Sequence, residues 1–353
     1  MKLNRNSLLL RGPKNEGAYI MIIPRVILFI VFLVACVQYA TAQEMQKISS
    51  DRIVAFSSDM IGQISGLTFA DSLIYATEGR SGQVHVFDHN LNQIFSFGQT
   101  GRGPGDLSWP SYIMEKDGKI YVEEGRALRL SIFSMNGDFI NNILLKKRAL
   151  RFYIFNNSLF GFDRSSQNPF YIFNLEDESI VEFGDRYNPN NSSNRYELAA
   201  RNQYYFQGIE TGKILIVNET SGNFYNIHLS DKPEIIKINT EISDPYFLNR
   251  LQYVENYFNS TSLQQLSWPL LITDLQVCNN TESVYLAYVG QDHESIHQNM
   301  LLLLSYKNDQ LTQTKSYSFE NRLFNKFALT NDCSSIFFYD QVEGKLVKYA
   351  LDN

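Results

Sequence analysis

Residues 73–87 read LIYATEGRSGQVHVF, and residues 119–133 read KIYVEEGRALRLSIF. The two stretches align without a gap, so that the tripeptide at 78–80 matches the tripeptide at 124–126, which lies 46 residues further along the chain. Each stretch contains two short runs of aromatic and β-branched residues around a polar turn, which predicts a β-hairpin. A hairpin that recurs after about 40 to 50 residues is typical of the blades of a β-propeller.

The remaining copies of this hairpin are weaker but keep the same order of strand, polar turn and strand. They span residues 158–174, 213–229, 283–306 and 335–351. With the two strong copies they make six units, so the sequence predicts an all-β fold, a six-bladed β-propeller. Residues 46–57 precede the first unit and contain the strand-like segment IVAF. We expect this segment to form the outer strand of the last blade and to close the ring, because closure removes exposed sheet edges.

One segment departs from the β pattern. Asp244 and Pro245 suit the N-cap and the first position of a helix. Phe247, Val254 and Phe258, together with Leu251, then recur at the spacing of one helix face. The sequence therefore predicts a helical insertion at about 244–262, before the fifth blade. This helix either covers a blade surface or docks a partner.

The first 42 residues have the features of a bacterial export signal. Positive charges at Arg11, Lys14 and Arg25 are followed by Val26–Val37, an uncharged apolar run of 12 residues. That run is too short to span a bilayer comfortably and suits the apolar core of a signal peptide. Residues 40–42 (ATA) offer a cleavage site, which predicts an export signal at 1–42 and a propeller at 43–353.

Other interpretations of this segment stay open. Residues 33–36 (LVAC) resemble a bacterial lipobox, which would place a lipidated Cys36 at the mature N-terminus, and a third alternative is an uncleaved anchor. Either Met1 or Met21 could be the true start of the chain. Under the first two interpretations the mature protein is exported to the periplasm or the outer membrane. It would then meet the membrane only through its signal or its lipid anchor.

The composition is that of a folded, mildly acidic protein. Hydrophobic residues make up 44% of the chain, charged residues 19%, and the formal net charge is −6. Nucleic-acid binding needs a basic surface, so the sequence predicts no nucleic-acid partner. Beyond Cys36 the cysteines are Cys278 and Cys333, which allow either one disulfide or two buried thiols.

Residues 101–140 (GRGPGDLSWPSYIMEKDGKIYVEEGRALRLSIFSMNGDFI) resemble an NHL repeat. The resemblance rests on the glycine-rich start, the segment DGKIYV, and an acidic residue followed by an arginine five positions later, Glu124 and Arg129. The first unit keeps the acidic residue as Glu78 but has Gln83 in place of the arginine, and the later units match only in strand rhythm. With its export signal and helical insertion, the chain is similar to the six-bladed NHL-like propellers exported by Bacteroidetes. The resemblance implies a six-bladed ring and leaves the activity open, because such rings host binders, lyases and lactonases.

The glycine-rich stretch at 97–110 (FGQTGRGPGDLSWP) invites comparison with a phosphate-binding loop. A P-loop requires a lysine followed by serine or threonine at the start of a helix, and here Gly105 is followed by Asp106 and Leu107. We therefore expect a connection between two blades. It carries two candidate ligand-binding residues, Arg102 and Trp109.

The segment His293-Glu294-Ser295-Ile296-His297 matches the zinc-protease pattern HExxH. In those enzymes both histidines lie on one helix face and bind zinc, while the glutamate acts as general base. Here the segment lies between two strand-like pieces, residues 284–289 and 300–306, which predicts a solvated hairpin turn. We assign no metal ligand, cofactor or catalytic residue. The alternative is a divalent metal bound by His293, Glu294 and His297.

In a propeller, two sets of loops share one end of the ring: the turns between the second and third strands, and the connections between blades. On this interpretation that end gathers Arg80, Arg102, Arg126, Arg164 and the His293 turn, a locally basic surface suited to an anionic ligand. The tetrapeptide LSWP occurs at 107–110 and at 266–269, so Trp109 and Trp268 lie either between blades or beside a ligand. Glu124 and Arg129 flank a hairpin turn and are predicted to form a structural pair.

These observations favour a non-enzymatic binding module of the bacterial cell envelope. It would recognise a protein, peptide or glycan through one loop face, with Arg80, Arg102, Trp109, Arg126 and Trp268 as candidate ligand-binding residues. The alternative is a metal-assisted propeller enzyme, of the lactonase or lyase type, with its site over the central channel. A purely structural surface protein is a third possibility.

Overall fold

The computed structural model describes residues 45–48, 54–56, 64–210, 212–230, 232–278, 282–319 and 323–351. The predicted export signal at 1–42, with Cys36 and both candidate start residues, lies outside the described residues. The cleavage site and the lipidated N-terminus therefore stay predictions.

The described chain begins with two short strands and then builds blade after blade. The two strands are β1 (Gln46–Ile48) and β2 (Val54–Phe56). Blade 1 contains β3 (Ile64–Ala70), β4 (Leu73–Glu78), β5 (Gln83–Asp88) and β6 (Gln93–Phe97). Blade 2 contains β7 (Pro110–Lys116), β8 (Lys119–Glu124), β9 (Arg129–Ser134) and β10 (Phe139–Leu144). Blade 3 contains β11 (Phe152–Phe155), β12 (Ser158–Phe162), β13 (Phe170–Asn174) and β14 (Ile180–Phe183).

The second half of the ring includes two helices. Helix α1 (Arg195–Arg201) precedes blade 4, which contains β15 (Tyr204–Glu210), β16 (Lys213–Asn218), β17 (Phe224–His228) and β18 (Glu234–Lys237). Strand β19 (Asn239–Glu241) and helix α2 (Pro245–Ser260) follow. Blade 5 contains β20 (Ile272–Cys278), β21 (Ser283–Gln291), β22 (Ile296–Lys307) and β23 (Gln310–Phe319). Blade 6 contains β24 (Phe324–Leu329), β25 (Ser335–Asp340) and β26 (Lys345–Ala350).

The ring closes as the sequence predicts. Strand β2 pairs antiparallel with β26, with Val54 opposite Lys348, so the N-terminal segment supplies the fourth strand of blade 6. Strand β1 pairs parallel with β23 and widens blade 5, a pairing that the sequence analysis did not anticipate. The six-bladed propeller predicted from the repeat is therefore the observed fold.

Packing between neighbouring blades explains the high aromatic content. The inner three strands of a blade are covered on both faces, so their side chains are apolar on both sides, as in β4 and β16. Between blades 3 and 4, the rings of Phe160 and Phe206 meet edge to face with centroids 4.9 Å apart. The outer strands β6, β10, β14 and β18 expose much of their surface and carry polar residues.

Helix α2 covers the ring, as one of the two predicted roles requires. The Asp244 side chain accepts a hydrogen bond from the Phe247 backbone N–H at 2.9 Å, which caps the helix start. Phe247, Val254 and Phe258 are buried in one cluster with Leu286 of blade 5. The sequence analysis missed α1, because a helix of seven residues is too short to show a clear periodicity.

A disulfide joins Cys278 at the end of β20 to Cys333 in the turn between β24 and β25. It links blades 5 and 6 and decides between the two alternatives that the sequence left open. Disulfides persist in oxidising compartments, so this bond fits a protein that leaves the cytoplasm.

Candidate functional site

One end of the ring collects charged residues around the central channel. We call it the loop face: the inner strand of each blade begins there, and the turns between second and third strands lie there. The charged residues come from blades 3 to 6 and from the connection between blades 2 and 3. We call them the mouth cluster, and they are Arg148, Arg151, Arg164, Glu219, Asp274 and Lys326.

Irregular strand starts place several side chains at this end. Near its start, the inner strand has one residue that is not paired with the neighbouring strand: Ser65 in blade 1, Ser111 in blade 2 and Thr273 in blade 5. Blade 6 has a similar irregularity between Phe324 and Phe327, where Lys326 lies. Such β-bulges bend a strand and redirect its side chains, and they are common beside functional sites.

Arg151 crosses from blade 3 toward blades 4 and 5. Its Nη1 donates to Asp274 Oδ1 at 3.2 Å, and its guanidinium carbon lies 3.7 Å from the centroid of the Tyr205 ring. Asp274 Oδ2 also accepts a hydrogen bond from the Phe327 backbone N–H at 3.2 Å. Because these contacts join blades 3, 4, 5 and 6 across the channel, they hold Arg151 in one position.

Lys326 of the mouth cluster lies near Arg151, Asp274 and Glu219. Its Nζ is 3.5 Å from the Thr273 carbonyl oxygen and 5.5 Å from the centroid of the Tyr205 ring. Burial and the nearby Arg151 charge lower the pKa of Lys326 to about 8, although Asp274 and Glu219 oppose the shift. A partly buried ammonium with a lowered pKa is typical of functional sites and also occurs in structural charge networks.

Glu219 lies at the mouth and accepts a hydrogen bond from Trp268, a residue that the sequence analysis names as a candidate ligand contact. Trp268 Nε1 donates a hydrogen bond to Glu219 Oε1 at 2.9 Å. Burial raises the pKa of Glu219, while Trp268, Arg151 and Lys326 partly offset the rise by favouring the charged form. The hydrogen bond from Trp268 therefore fixes this carboxylate at the edge of the channel.

Arg164 is not directly paired with an anion in the described chain. Within the described residues its side chain makes no hydrogen bond and no ion pair, although it is half-buried. Burial, and to a lesser degree repulsion from Arg148, lower the pKa of Arg164, while the charges of Glu219 and Asp163 partly oppose the shift. Arg148 itself donates from Nη2 to the Gly125 carbonyl oxygen. The mouth cluster thus contains four cationic side chains and two carboxylates, so its field favours an anion.

Glu123 lies beside the mouth cluster and is fully buried. Its Oε2 accepts a hydrogen bond from Ser111 Oγ, whereas its Oε1 has no hydrogen-bond partner among the described residues. Burial raises the pKa of Glu123 to about 7, and the neighbouring Glu124 charge adds to the rise, while Ser111 and Arg148 oppose it. The carboxyl therefore changes its protonation state near neutral pH.

A separate group of predicted residues lies in the connection between blades 1 and 2 and in the neighbouring turns of these two blades. Arg126 stacks on Trp109, with the guanidinium carbon 4.0 Å from the ring centroid, and Trp109 is 40% exposed. The Arg80 carbonyl oxygen accepts a hydrogen bond from Thr100 Oγ1 at 3.3 Å. The Arg102 carbonyl oxygen lies 3.4 Å from an Arg129 nitrogen. The structure thus places Trp109 against Arg126 and Trp268 against Glu219. Within the described residues no hydrogen bond or ion pair joins the first pair to the second.

Glu124 and Arg129 form a buried, two-pronged ion pair. Arg129 Nε lies 2.6 Å from Glu124 Oε1, and Nη2 lies 2.7 Å from Oε2. Arg129 also donates to the Asp106 carbonyl oxygen at 2.9 Å, and the Ser108 backbone N–H donates to Glu124 at 2.7 Å. The pair therefore fastens the glycine-rich connection, which joins β6 to β7.

The segment that matches HExxH lies at the turn between β21 and β22. His293 and Glu294 are exposed in the turn, and His297 lies on β22, where its Nε2 is 2.9 Å from Asp292 Oδ2. The two histidines therefore do not share a helix face. In the part of the chain that the structure describes, no group of three His, Cys, Asp or Glu side chains is placed to hold a metal ion.

Arg164 of the mouth cluster, and Trp268 beside it, were predicted from the sequence, but the other five members of the cluster were not. Arg148, Arg151, Asp274 and Lys326 lie at or near the starts of inner strands in different blades. No spacing along the chain relates them, because ring closure alone brings them together. A charged residue at the start of an inner strand is the one signal that could have pointed to them.

Comparisons with known proteins support the propeller fold. No family model matches the chain, and no curated protein matches it. Among solved structures, a candidate exported protein from Bacteroides fragilis is 10% identical with a TM-score of 0.56, covering 88% of this chain and 98% of that chain. A member of the DUF4221 family from Bacteroides vulgatus is 10% identical with a TM-score of 0.56, covering 86% and 97%.

A third solved structure, of the protein U3-55K, is 11% identical with a TM-score of 0.55 and covers 86% of this chain and 99% of that chain. At these identities the likenesses show the propeller fold alone. The resemblance of residues 101–140 to an NHL repeat stays a prediction. Neither helix of the described chain has the length and apolar character needed to cross a membrane.

Proposed function

We propose that this protein is a non-enzymatic binding protein of the bacterial cell envelope, and that its mouth cluster takes up an anionic group of the ligand. The observation that carries the proposal is Arg164, a half-buried guanidinium that makes no hydrogen bond and no ion pair in the described chain, although the charges of Glu219 and Asp163 act on it. An unpaired cation beside other cations is costly unless an anion neutralises it. A carboxylate or phosphate on a peptide, protein or glycan supplies that anion.

The surroundings of Arg164 favour binding over proton transfer. The carboxylate of Asp274 is held by Arg151 and by the Phe327 N–H, and that of Glu219 by Trp268. Fixed carboxylates of this kind orient the cations around them. Three observations support a place in the envelope: the predicted export signal, the disulfide, and a structural neighbour described as exported.

The proposal is tested by calorimetric titration of the protein with two anionic probes, trigalacturonic acid and a pentaglutamate peptide. Their uncharged counterparts, the trimethyl ester and pentaglutamine, serve as reference ligands. We expect at least one anionic probe to bind and its uncharged counterpart to bind about tenfold more weakly or not at all. Affinity should fall as salt is raised, because ions screen exposed charges.

Two variants locate the site. Arg164→Gln should weaken binding by about tenfold, since a charge-assisted hydrogen bond contributes about 1.5–3 kcal/mol. Lys237→Gln makes the same change of charge on the exposed outer strand β18 and should leave the affinity unchanged. Equal affinities of Arg164→Gln and wild type for every bound probe, or no binding of either anion, would contradict the proposal. Metal analysis of the same sample tests the alternative of a metal-assisted lactonase or lyase.

A further inference from the structure

The opposite end of the channel opens into a cavity of about 990 Å³. We call this end the hairpin face, because the turns between the first and second strands of the blades lie there. The cavity is lined by the inner strands of all six blades, with Phe69, Tyr112, Tyr153, Gln207, Gln276 and Leu329 as one representative of each. Ligand cavities of this size hold molecules as large as a drug or a short oligosaccharide.

Several polar groups that line this cavity are not used by the protein itself. The side chains of Thr68, Tyr121, Tyr153 and Gln207 make no hydrogen bond within the described residues. Gln276 uses only its Nε2, which donates to the Phe327 carbonyl oxygen at 3.3 Å. These hydroxyl and amide groups can both donate and accept, so together they suit a ligand rich in hydroxyl groups.

The charge of this cavity differs from that of the mouth cluster. Its charged lining residues are Glu115, Lys116, Asp117 and Lys119, two acids and two bases on one hairpin. Lys116 Nζ lies 3.6 Å from Asp117 Oδ1, and Glu115 accepts a hydrogen bond from the Gly118 N–H at 2.9 Å. Because these charges balance and partly engage one another, the cavity offers no net field to an ion.

Aromatic rings supply the apolar part of the lining. The Tyr153 ring lies against Gly208, where an added Cβ would come within 2.2 Å of the ring. The lack of a side chain at Gly208 therefore lets Tyr153 lie in this position. Tyr121 and Phe155 also contribute to the wall. A sugar ring has an apolar C–H face and an edge of hydroxyl groups, which matches aromatic faces beside uncommitted amides and hydroxyls.

We propose that the cavity on the hairpin face binds a neutral oligosaccharide of two or three sugar units. The proposal is independent of anion binding at the mouth cluster, because it rests on a different end of the channel and on different side chains. Gln207, Thr68 and Tyr153 are the residues expected to donate to and accept from the sugar hydroxyls.

The test uses four neutral probes: maltotriose, cellotriose, xylotriose and the trimer of N-acetylglucosamine. Binding to the full protein is measured by calorimetry at concentrations up to about 10 mM, which detects weak ligands. We expect at least one trisaccharide to bind, and Gln207→Leu and Thr68→Val to weaken that binding by about fivefold each. Tyr153→Phe keeps the ring, loses the hydroxyl and should weaken binding by a similar factor.

Lys237→Gln, on the exposed outer strand β18, serves as the control and should leave trisaccharide affinity unchanged. The unfolding midpoint of each variant shows whether it folds. If Gln207→Leu does not fold, the affinity of Tyr153→Phe for the trisaccharide tests the proposal instead. No binding of any trisaccharide at about 10 mM overturns the proposal. Binding that Arg164→Gln abolishes while Gln207→Leu and Tyr153→Phe leave it intact also overturns it, since the sugar would then lie at the mouth. The trisaccharides are neutral, whereas the test of the mouth cluster uses anionic probes. Either proposal can therefore fail while the other holds.

Discussion

Replacement of Glu123 by glutamine should change how the stability of the protein depends on pH. The Glu123 side chain is fully buried, and its Oε1 has no hydrogen-bond partner among the described residues. Its pKa is raised from 4.5 to about 7, chiefly by burial. The folded protein therefore keeps this proton up to about pH 7, whereas the unfolded chain releases it near pH 4.5.

The sign of the effect follows from proton linkage. Between about pH 4.5 and 7 the folded state binds more protons than the unfolded state, so the free energy of unfolding falls as pH rises. The stabilisation present at low pH is lost above about pH 7. A shift of about 2.5 pKa units corresponds to about 3 kcal/mol, since each unit is about 1.4 kcal/mol.

Urea unfolding of the wild type and of Glu123→Gln at several pH values measures this difference. Glutamine resembles the protonated carboxyl and does not titrate, so the two proteins should be about equally stable near pH 4.5. At about pH 8 the variant should be more stable by about 3 kcal/mol. Glu234→Gln, on the exposed outer strand β18, should show no such divergence. Parallel stability curves for Glu123→Gln and wild type between these pH values would refute the reasoning.

Three further predictions concern the disulfide, the buried ion pair and the channel lysine. Replacing both Cys278 and Cys333 by serine should lower the free energy of unfolding by about 4 kcal/mol, because the bond closes a loop with a sequence separation of 55; an unchanged urea midpoint would count against this. Arg129→Met should destabilise the protein by about 3–5 kcal/mol, since it leaves the Glu124 carboxylate buried without its partner, and a loss below about 1 kcal/mol in urea unfolding would show the pair to be dispensable. In NMR titration of ¹³C-methylated lysines, one signal should titrate near pH 8 and disappear in Lys326→Arg; midpoints above about pH 10 for every lysine would contradict the lowered pKa.

The sequence predicts the fold well because the fold is a local pattern that repeats. The tripeptide at 78–80 and its copy at 124–126 stand at the same place in blades 1 and 2, at the end of the second strand and the start of its turn. Ring closure by residues 46–57 follows from the need to cover sheet edges, and β2 pairs with β26 as expected. The same reasoning missed the parallel pairing of β1 with β23, since no pattern in three residues indicates a partner strand.

The candidate site is harder to predict because it is not local. Lys326 occurs in the strand-like segment FNKFAL, where nothing in the pattern sets this lysine apart from an ordinary surface lysine. Its partial burial follows from the position of β24 beside the channel and from the irregular pairing next to it. Arg151 and Asp274 are 123 residues apart and meet only because the ring is closed. Trp268, in contrast, stands out in the sequence through the repeated LSWP, and the structure places it before blade 5, where it donates a hydrogen bond to Glu219 of blade 4. Its contact with a ligand stays a prediction.

The central claim is that the mouth cluster binds an anion, and a crystal structure of the protein with bound pentaglutamate or trigalacturonate tests it most directly. We expect a carboxylate of the ligand within hydrogen-bond distance of the Arg164 guanidinium, on the loop face of the channel. A ligand bound elsewhere on the ring, with the Arg164 side chain still unpaired, would contradict it.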